Sequence, residues 1–402
     1  MKKILILGGA KAQVPLIKAA KQEGYYVVLC DWTTTNPGIP LADKHYQVST
    51  LDLQAVMEVA KHENIDGVIS NSEPAMENVA VISSELGLVG NSVGSIEQLQ
   101  SKCKFRKLQK SVNAFAPDAF ESGNADTFLQ KIAELTFPVV VKPSKSSGSR
   151  GTAFFDHFDR QGIQRAFEAC AAFSVNDLVT GEEYIPMPSL INVDADIFVH
   201  HGKILWNGLF SCVRSNALPL VPHMEMFPSI LNQDQRSLLE RKITEILNAA
   251  DFRFGEVNVE GYFTECGELF VIEINARQGG NNIPELICDH SGIDMYKLLI
   301  STCCGDDTYF NDIMDVRHQE NCITNFVVFP ARSGVLKGIY IDPELANYVY
   351  KITQNIPSGK AIRKAEDATD AVAMLRLRFP DQKTQLEWLP KLDDLIYAEV
   401  EA

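Results

Sequence analysis

Four residues near the middle of the chain, Glu260, Glu273, Asn275 and Arg277, have types and spacing suited to chemistry on a phosphate. They lie in FGEVNVEGYFTECGELFVIEINARQGG, which begins at Phe254. The stretch reads as two strands, Gly255 to Thr264 and Glu268 to Ala276, joined by a two-residue turn at Cys266-Gly267, where glycine takes a positive φ. That turn sets Glu260 opposite Glu273 and Asn258 opposite Asn275 on one face. Val257, Val259, Gly261 and Phe263 then meet Phe270, Ile272, Ile274 and Ala276 on the other. Carboxylates directly across a ladder repel each other, and a divalent cation between them removes the penalty. Asn275 adds a neutral oxygen, and an all-oxygen set selects a hard ion such as Mg²⁺, which shares itself with substrate phosphates. Arg277 offers a fork for an anion beyond the metal. Spacing alone also allows a solvated face of an edge hairpin.

A second stretch, FPVVVKPSKSSGSRGTAFF, places an apolar strand from Pro138 to Lys142 before a loop of serines and glycines. An ammonium on a mostly buried strand is rare unless it meets an anion, which singles out Lys142. The loop Ser144, Lys145, Ser146, Ser147, Gly148, Ser149, Arg150, Gly151 has flexible backbone and flanking cations, as a cover for a triphosphate requires, although such loops are also ordinary mobile connections. Glu182, Glu183, Tyr184 and Ile185 end a short strand and offer extended backbone, with one N–H and one carbonyl, as a seat for adenine. Arg214, in a polar segment from Ser211 to Asn216, is placed to reach an acidic substrate. Asn192, Asp194 and Asp196 share one face of a strand from Leu190 to Val199. His200 and His201 read as turn residues rather than metal ligands, with no third ligand nearby in sequence.

The elements that must position these groups follow an α/β pattern. KKILILGGA is a buried strand entering a glycine turn, followed by a helix from Gln13 to Gln22 and a strand from Tyr26 ending at Asp31, the opening of a doubly wound sheet. Gly8, Gly9 and Asp31 lack the third glycine of a dinucleotide fingerprint. The first domain is expected to close near residue 95. Lys102, Lys104, Arg106, Lys107 and Lys110 lie on a basic helix and read mostly as a solvated face. Lys203 to Cys212 reads as one strand, and Gln233 to Ala250 as a helix. Ile283 to Ser291 and Met295 to Cys304 are helices, and Asp306 to Gln319 is a connection. The remainder reads as a β-rich run from Asn321, a helix near Pro343 to Ile352, a helix or strand-helix from Ala368 to Phe379, and an acidic tail.

The chain has 402 residues, 46% of them hydrophobic, enough for two or three domains. Its amino terminus has too short an apolar run for a signal peptide or a membrane span, which points to the cytoplasm. The nine cysteines lack paired metal spacing and read as reduced, mostly buried thiols. A formal charge of −15 disfavours nucleic acid and anionic membranes as partners, while a small basic pocket still accommodates a nucleotide.

The order of elements resembles the ATP-grasp superfamily, which includes carboxylate-amine ligases and proteins like biotin carboxylase and carbamoyl-phosphate synthase. VEGYFTECGELFVIEINARQGG is similar to its metal motif, a Glu followed by E-x-N-x-R-x-G-G. The resemblance implies an α/β chain with an N-terminal doubly wound, Rossmann-like preATP-grasp domain over 1–95, an ATP-grasp domain over 96–310 and a small C-terminal α+β domain over 311–402. By position, Glu260, Glu273 and Asn275 would bind Mg²⁺, with Mn²⁺ as a substitute, and Arg277 would contact the phosphates or an acyl-phosphate. Lys142 and Lys102 would meet the ATP phosphates, although Ser101 stands where an Asp is common. Ser144 to Gly151 would be the mobile cover and Glu182 to Ile185 the adenine hinge. A ribose-binding Glu is missing before Asp194. The implied activity is ATP-dependent joining of a small acid, gripped by Arg277 and Arg214, to an amine through an acyl-phosphate. Bicarbonate activation and non-catalytic nucleotide binding are the alternatives. A homodimer through the apolar third region is a further expectation.

Overall fold

The computed structural model describes residues 1–145, 151–174, 176–189, 191–215, 218, 221–314 and 320–401. Ser146, Ser147, Gly148, Ser149 and Arg150, expected as the centre of the phosphate cover, lie outside the described residues, as do Leu190 and Asn216.

The first unit is a four-stranded parallel sheet, ordered β3-β2-β1-β4, of β1 (Lys3–Leu7), β2 (Tyr26–Asp31), β3 (Lys44–Gln47) and β4 (Gly67–Ile69). Helices α1 (Val14–Gln22), α2 (Leu53–Glu63) and α3 (Met76–Leu86) connect and flank it. Ile4, Leu5, Ile6 and Leu7 are fully buried, as expected of a parallel strand covered on both faces. Gly8 has φ +99, and the Gly9 N–H donates to Asp31 Oδ2 (2.7 Å), so Asp31 closes the glycine turn.

Helices α4 (Val93–Gln100) and α5 (Lys102–Ser111) lead to a second sheet of β5 (Ala119–Ser122), β6 (Val139–Pro143), β7 (Ala153–Phe155) and β8 (Val179–Glu183), with α6 (Ala125–Ile132) and α7 (Arg160–Phe173) packed on it. It is antiparallel, in the order β5-β8-β6-β7.

The largest sheet begins with β9 (Ile191–His200), β10 (Lys203–Leu205), β11 (Leu209–Arg214) and β12 (Pro222–Phe227). The run expected as one strand from Lys203 to Cys212 is broken at Trp206–Gly208. The Asp196 N–H donates to the Gly208 carbonyl (2.9 Å), and a Cβ on Gly208 would fall 1.9 Å from the Asp196 oxygen. Arg214 ends β11 rather than following it in a polar loop. Helix α8 (Gln233–Ala249) starts at a capping box of Asn232 and Gln235 and carries Leu239, Ile243, Ile246 and Leu247 on its buried stripe. That stripe packs with Val257, Val259 and Ile274 of the next two strands, β13 (Phe254–Phe263) and β14 (Leu269–Asn275).

After α9 (Ile283–Ser291), α10 (Met295–Cys303) and α11 (Thr308–Met314), a helix inside the stretch expected as a connection from Asp306 to Gln319, come β15 (Cys322–Val328), β16 (Gly334–Ile341), β17 (Val349–Gln354), β18 (Ala361–Ile362), β19 (Ala373–Phe379) and β20 (Ile396–Glu401). The expected helix at Pro343 to Ile352 is instead a turn followed by β17, which pairs with β19 and whose Val349, Tyr350, Ile352 and Thr353 favour an extended chain. Only Ala368–Asp370 of the next segment is helical, and the rest is β19. The acidic tail is the edge strand β20, with Ile396 and Val400 buried and Glu399 and Glu401 outward. The large sheet runs β14-β13-β9-β11-β12-β15-β19-β17, with β10 beside β9, and so crosses the expected 310/311 division. All nine cysteines are free thiols, six of them buried.

Candidate active site

The acidic hairpin has the expected pairing for a reason the sequence did not reveal. Glu260 faces Glu273 and Asn258 faces Asn275, but the turn has three residues, Glu265 to Gly267, with the Thr264 N–H donating to the Glu268 carbonyl (2.8 Å). Gly267 at φ +79 suits the left-handed position of such a loop. A three-residue turn alone would displace the carboxylates, and a bulge between Glu260 and Gly261 restores their register. Beyond the bulge the apolar face therefore changes membership. Leu269 and Val271 join the core with Val257, Val259 and Ile274, whereas Phe270 packs edge-on against Tyr262 on the other side.

The acidic ladder continues into β9, where Asp194 stands opposite Glu260 and Asp196 opposite Asn258. Asp196 accepts from Asn258 Nδ2 (2.7 Å) and the Gly279 N–H (2.6 Å), which fixes the glycine loop after Arg277. Glu273 accepts from Asn275 Nδ2 (2.9 Å). Arg214 Nη2 lies 3.5 Å from Glu260 Oε2. With the Asn192 amide oriented to satisfy its surroundings, its oxygen accepts from Arg214 Nε (3.0 Å) and Nη2 (3.2 Å). Arg277 Nη2 lies 3.6 Å from Glu73 Oε2, and its Nη1 donates to the Gln278 carbonyl (2.8 Å).

The electrostatics separate the two hairpin glutamates. Burial and the facing Glu273 push the Glu260 carboxyl up to about 7. Burial also opposes ionisation of Glu273, but Lys102, the Asn275 amide and Arg277 hold it below the usual carboxylate range. Burial raises Asp196 to about 6 and raises Asp194, Glu256, Glu225 and Glu73 as well. Oxygen donors whose charges oppose one another are the set that a hard dication stabilises, so Glu260, Glu273 and Asn275 fit Mg²⁺. A linkage prediction follows. Acids with folded-state pKa values above their unfolded values bind extra protons when folded, so stability without divalent cation rises as pH falls from 8 to about 6.5. Glu260 alone contributes about 1 kcal/mol over that window, and on the order of 2 °C in Tm. Below it, His200 and His290, whose burial disfavours their charged forms, oppose the trend. Thermal unfolding in a chelator at pH 8.0, 7.2 and 6.5 checks this, and a falling Tm would contradict it.

Across the cleft, Lys142 on β6 forms a buried ion pair with Glu182, which also accepts from Arg106 Nε (3.0 Å) and Nη2 (3.4 Å). Burial lowers the Lys142 ammonium to about 8 despite this partner. Burial alone would raise Glu182, but Arg106 and Lys142 hold it at about 2. Arg106 corrects the solvated-face expectation for α5: it is 2% exposed, lies 4.9 Å over the Phe270 ring and donates to Gln109 Oε1 (2.8 Å) and the Val271 carbonyl (3.2 Å). It thereby ties α5 and β8 to the acidic hairpin.

In the expected adenine seat, the Tyr184 N–H donates to the Pro138 carbonyl (2.8 Å), the Ile185 carbonyl accepts from Tyr262 (2.6 Å) and Glu183 Oε1 accepts from the Thr136 N–H (3.0 Å). Any adenine contact there falls to other groups of the segment. The described ends of the loop expected as a phosphate cover are anchored. Ser144 is fully buried and donates to Glu121 (2.6 Å), Lys145 pairs with Glu77 of α3, and Gly151 has φ +75.

Glu73 is a site residue that sequence reasoning missed. It follows β4 at the carboxyl end of the parallel sheet, where open α/β sheets place ligands, and that position was its available signal. Asp307 joins His200 (2.7 Å) and His201 (3.6 Å), a third group far away in sequence. His200 Nδ1 is buried without a partner, whereas a ligating histidine donates its second N–H to an acceptor, so the group fits a hydrogen-bonded cluster better than a metal centre.

Residues 101–300 match the family described as Carbamoyl-phosphate synthase L chain, ATP binding domain, and residues 4–92 match PylC-like, N-terminal domain. The chain is similar to the carbamoyl phosphate synthase large chain of Thermotoga petrophila, 21% identical over 78% of this chain and 27% of that protein, so it spans about a quarter of that relative's length. Among solved structures, it resembles the L-amino acid ligase from Bacillus licheniformis, with TM-score 0.81, 18% identity and coverage of 100% and 99% of the two chains. It also resembles phosphoribosylglycinamide synthetase from Anaerococcus prevotii, with TM-score 0.74, 20% identity and full coverage of both chains. No helix among the described residues is long and apolar enough to cross a membrane. With the nucleotide-domain match and a fold shared along its whole length, the chain belongs to the ATP-grasp superfamily.

Proposed function

We propose that this protein is an ATP-dependent carboxylate-amine ligase that joins a small acid, such as an amino acid, to an amine and releases ADP and phosphate. The observation that carries this reading is the convergence of Arg214 and Arg277 on the face that holds Glu260 and Glu273. Two guanidinium groups beside the metal ligands supply a grip for a carboxylate next to the γ-phosphate.

Glu260, Glu273 and Asn275 would hold Mg²⁺, which offsets phosphate charge when bound. Lys142 and Lys102, both near enough to favour the Glu273 charge, would add positive charge to the site. Arg214 orients the acid so that one carboxylate oxygen attacks the γ-phosphorus, forming a C–O–P linkage as the bond to ADP breaks. Arg277 stabilises the charge on the transferred group. The amine nitrogen then attacks the acyl carbon and loses a proton as phosphate departs, giving an amide. Among the described residues the inventory consists of cations and N–H donors without an activated side-chain nucleophile, which suits phosphoryl transfer by positioning.

A coupled assay for ADP and phosphate, run with pairs of amino acids as acid and amine and separately with bicarbonate, tests the proposal. The expected result is turnover that requires both an acid and an amine. Turnover driven by bicarbonate alone, or Mg-ATP binding with no turnover on any pair, would overturn it.

A further inference from the structure

Beyond Arg214 on the same sheet face lies an acidic position that the metal hairpin does not use. Glu225, on β12, stands opposite Cys212 of β11 and Asn325 of β15. Cys212 is two residues before Arg214, so both point to this face. The buried Cys212 thiol feels Asp194, Arg214, Glu225 and Glu260 together, which places the arginine and the second acid in one neighbourhood.

Glu225 is 1% exposed. Its Oε1 accepts from Asn281 Nδ2 (2.5 Å) and its Oε2 from Asn325 Nδ2 (2.8 Å). Both partners are neutral, and the nearby His223 directs its Nε2 to Asp393. A buried carboxyl held by two amides lacks the compensation that an ion pair provides, and burial accordingly raises its pKa. Beside it, the Asn325 amide oxygen is buried without a hydrogen-bond donor. Two neighbouring acceptors, one able to carry full charge, match a ligand with several N–H donors and a positive charge. Asn281 belongs to the loop after Arg277 and is partly exposed, and rotation of its side chain would free Glu225 Oε1 for another donor.

We propose that Glu225 and the Asn325 amide oxygen receive the α-ammonium of the acid substrate while Arg214 holds its carboxylate, so that the acid is an α-amino acid. This inference rests on the ligase reading above. A guanidinium at one end and a buried carboxylate at the other recognise a zwitterion and discriminate against bicarbonate and simple acids, which leave the buried acceptors unpaired. Holding the amino group as an ammonium also removes its lone pair, so the activated molecule does not act as its own nucleophile.

The test traps the acyl-phosphate with hydroxylamine as the hydroxamate, using ATP, Mg²⁺ and a panel of L-amino acids, each compared with its deaminated carboxylic acid. The expected kcat/KM ratio in favour of the amino acid is about 100-fold or more. Glu225→Gln is expected to bring that ratio below about tenfold, mainly by raising KM for the amino acid, because the charge on the recognising group is gone. A residue that merely braces the loop would instead lower turnover of both classes equally. Should E225Q fail to fold, Asn281→Ala, which removes the donor competing for Glu225, is expected to lower the amino-acid KM about threefold. The inference is overturned if the wild type uses deaminated acids as well as amino acids, if E225Q leaves the ratio unchanged, or if N281A leaves KM unchanged. Absence of any hydroxamate alongside bicarbonate-driven ADP release would show instead that the ligase reading itself fails.

Discussion

Replacing Glu273 by glutamine is expected to lower kcat/KM for ATP turnover by about 10³-fold and to weaken the pH dependence of the metal-free protein's stability. The two effects have one cause. Glu273 faces Glu260 across β13 and β14, and the two negative charges raise the cost of ionising Glu260. Glutamine keeps an oxygen for the hydrogen bond from Asn275 Nδ2 but removes the charge that a dication needs. Repulsion falls, Glu260 titrates closer to an ordinary carboxyl, and the linkage between low pH and stability weakens. The readouts are steady-state ADP release and a thermal unfolding series in a chelator. A structural role for Glu273 would give the opposite pattern, with activity retained and stability lost.

Lys142→Met is expected to lower kcat by about 10² to 10³-fold and to raise KM for ATP. Lys142 belongs to a buried ion pair, so the variant also tests whether its role is structural. Glu182 keeps Arg106, whose Nε and Nη2 both reach it, and the loss of stability should therefore fall below the roughly 3–5 kcal/mol seen when a buried charge is left alone. Methionine preserves most of the apolar stem against β6. Steady-state kinetics together with denaturant unfolding separate the alternatives. A purely structural lysine predicts lower stability with kcat within about threefold of wild type, and a phosphate-binding lysine predicts the large kinetic loss.

The fold was legible in the sequence wherever periodicity was strong. KILIL and the stripe of α8 each admit one packing solution. The hairpin also shows how a correct pairing can rest on an incomplete reason. The residues Thr264 to Glu268 do not distinguish a two-residue turn from a three-residue one, and the bulge at Glu260 that compensates depends on β13 being held on its other edge by β9. The missed features are those created by distant partners. Arg106 reads as one cation among five on a basic helix until the fold brings Glu182 and the Val271 carbonyl to it. Glu73 and Glu225 carry no local motif, and each acquires meaning only from the arginine or asparagines placed beside it. The break at Trp206–Gly208 comes from close approach of the Asp196 backbone, a tertiary constraint on an otherwise strand-like sequence.

The central claim is that Glu260 and Glu273 share a divalent cation with the phosphates of ATP. Titration of Mn²⁺ with a non-hydrolysable ATP analogue, followed by electron paramagnetic resonance on the wild type and on Glu260→Gln and Glu273→Gln, tests it most directly. The predicted result is a bound Mn-nucleotide signal in the wild type and a loss of affinity of about 100-fold or more in each variant. Equal binding by all three proteins would contradict the account.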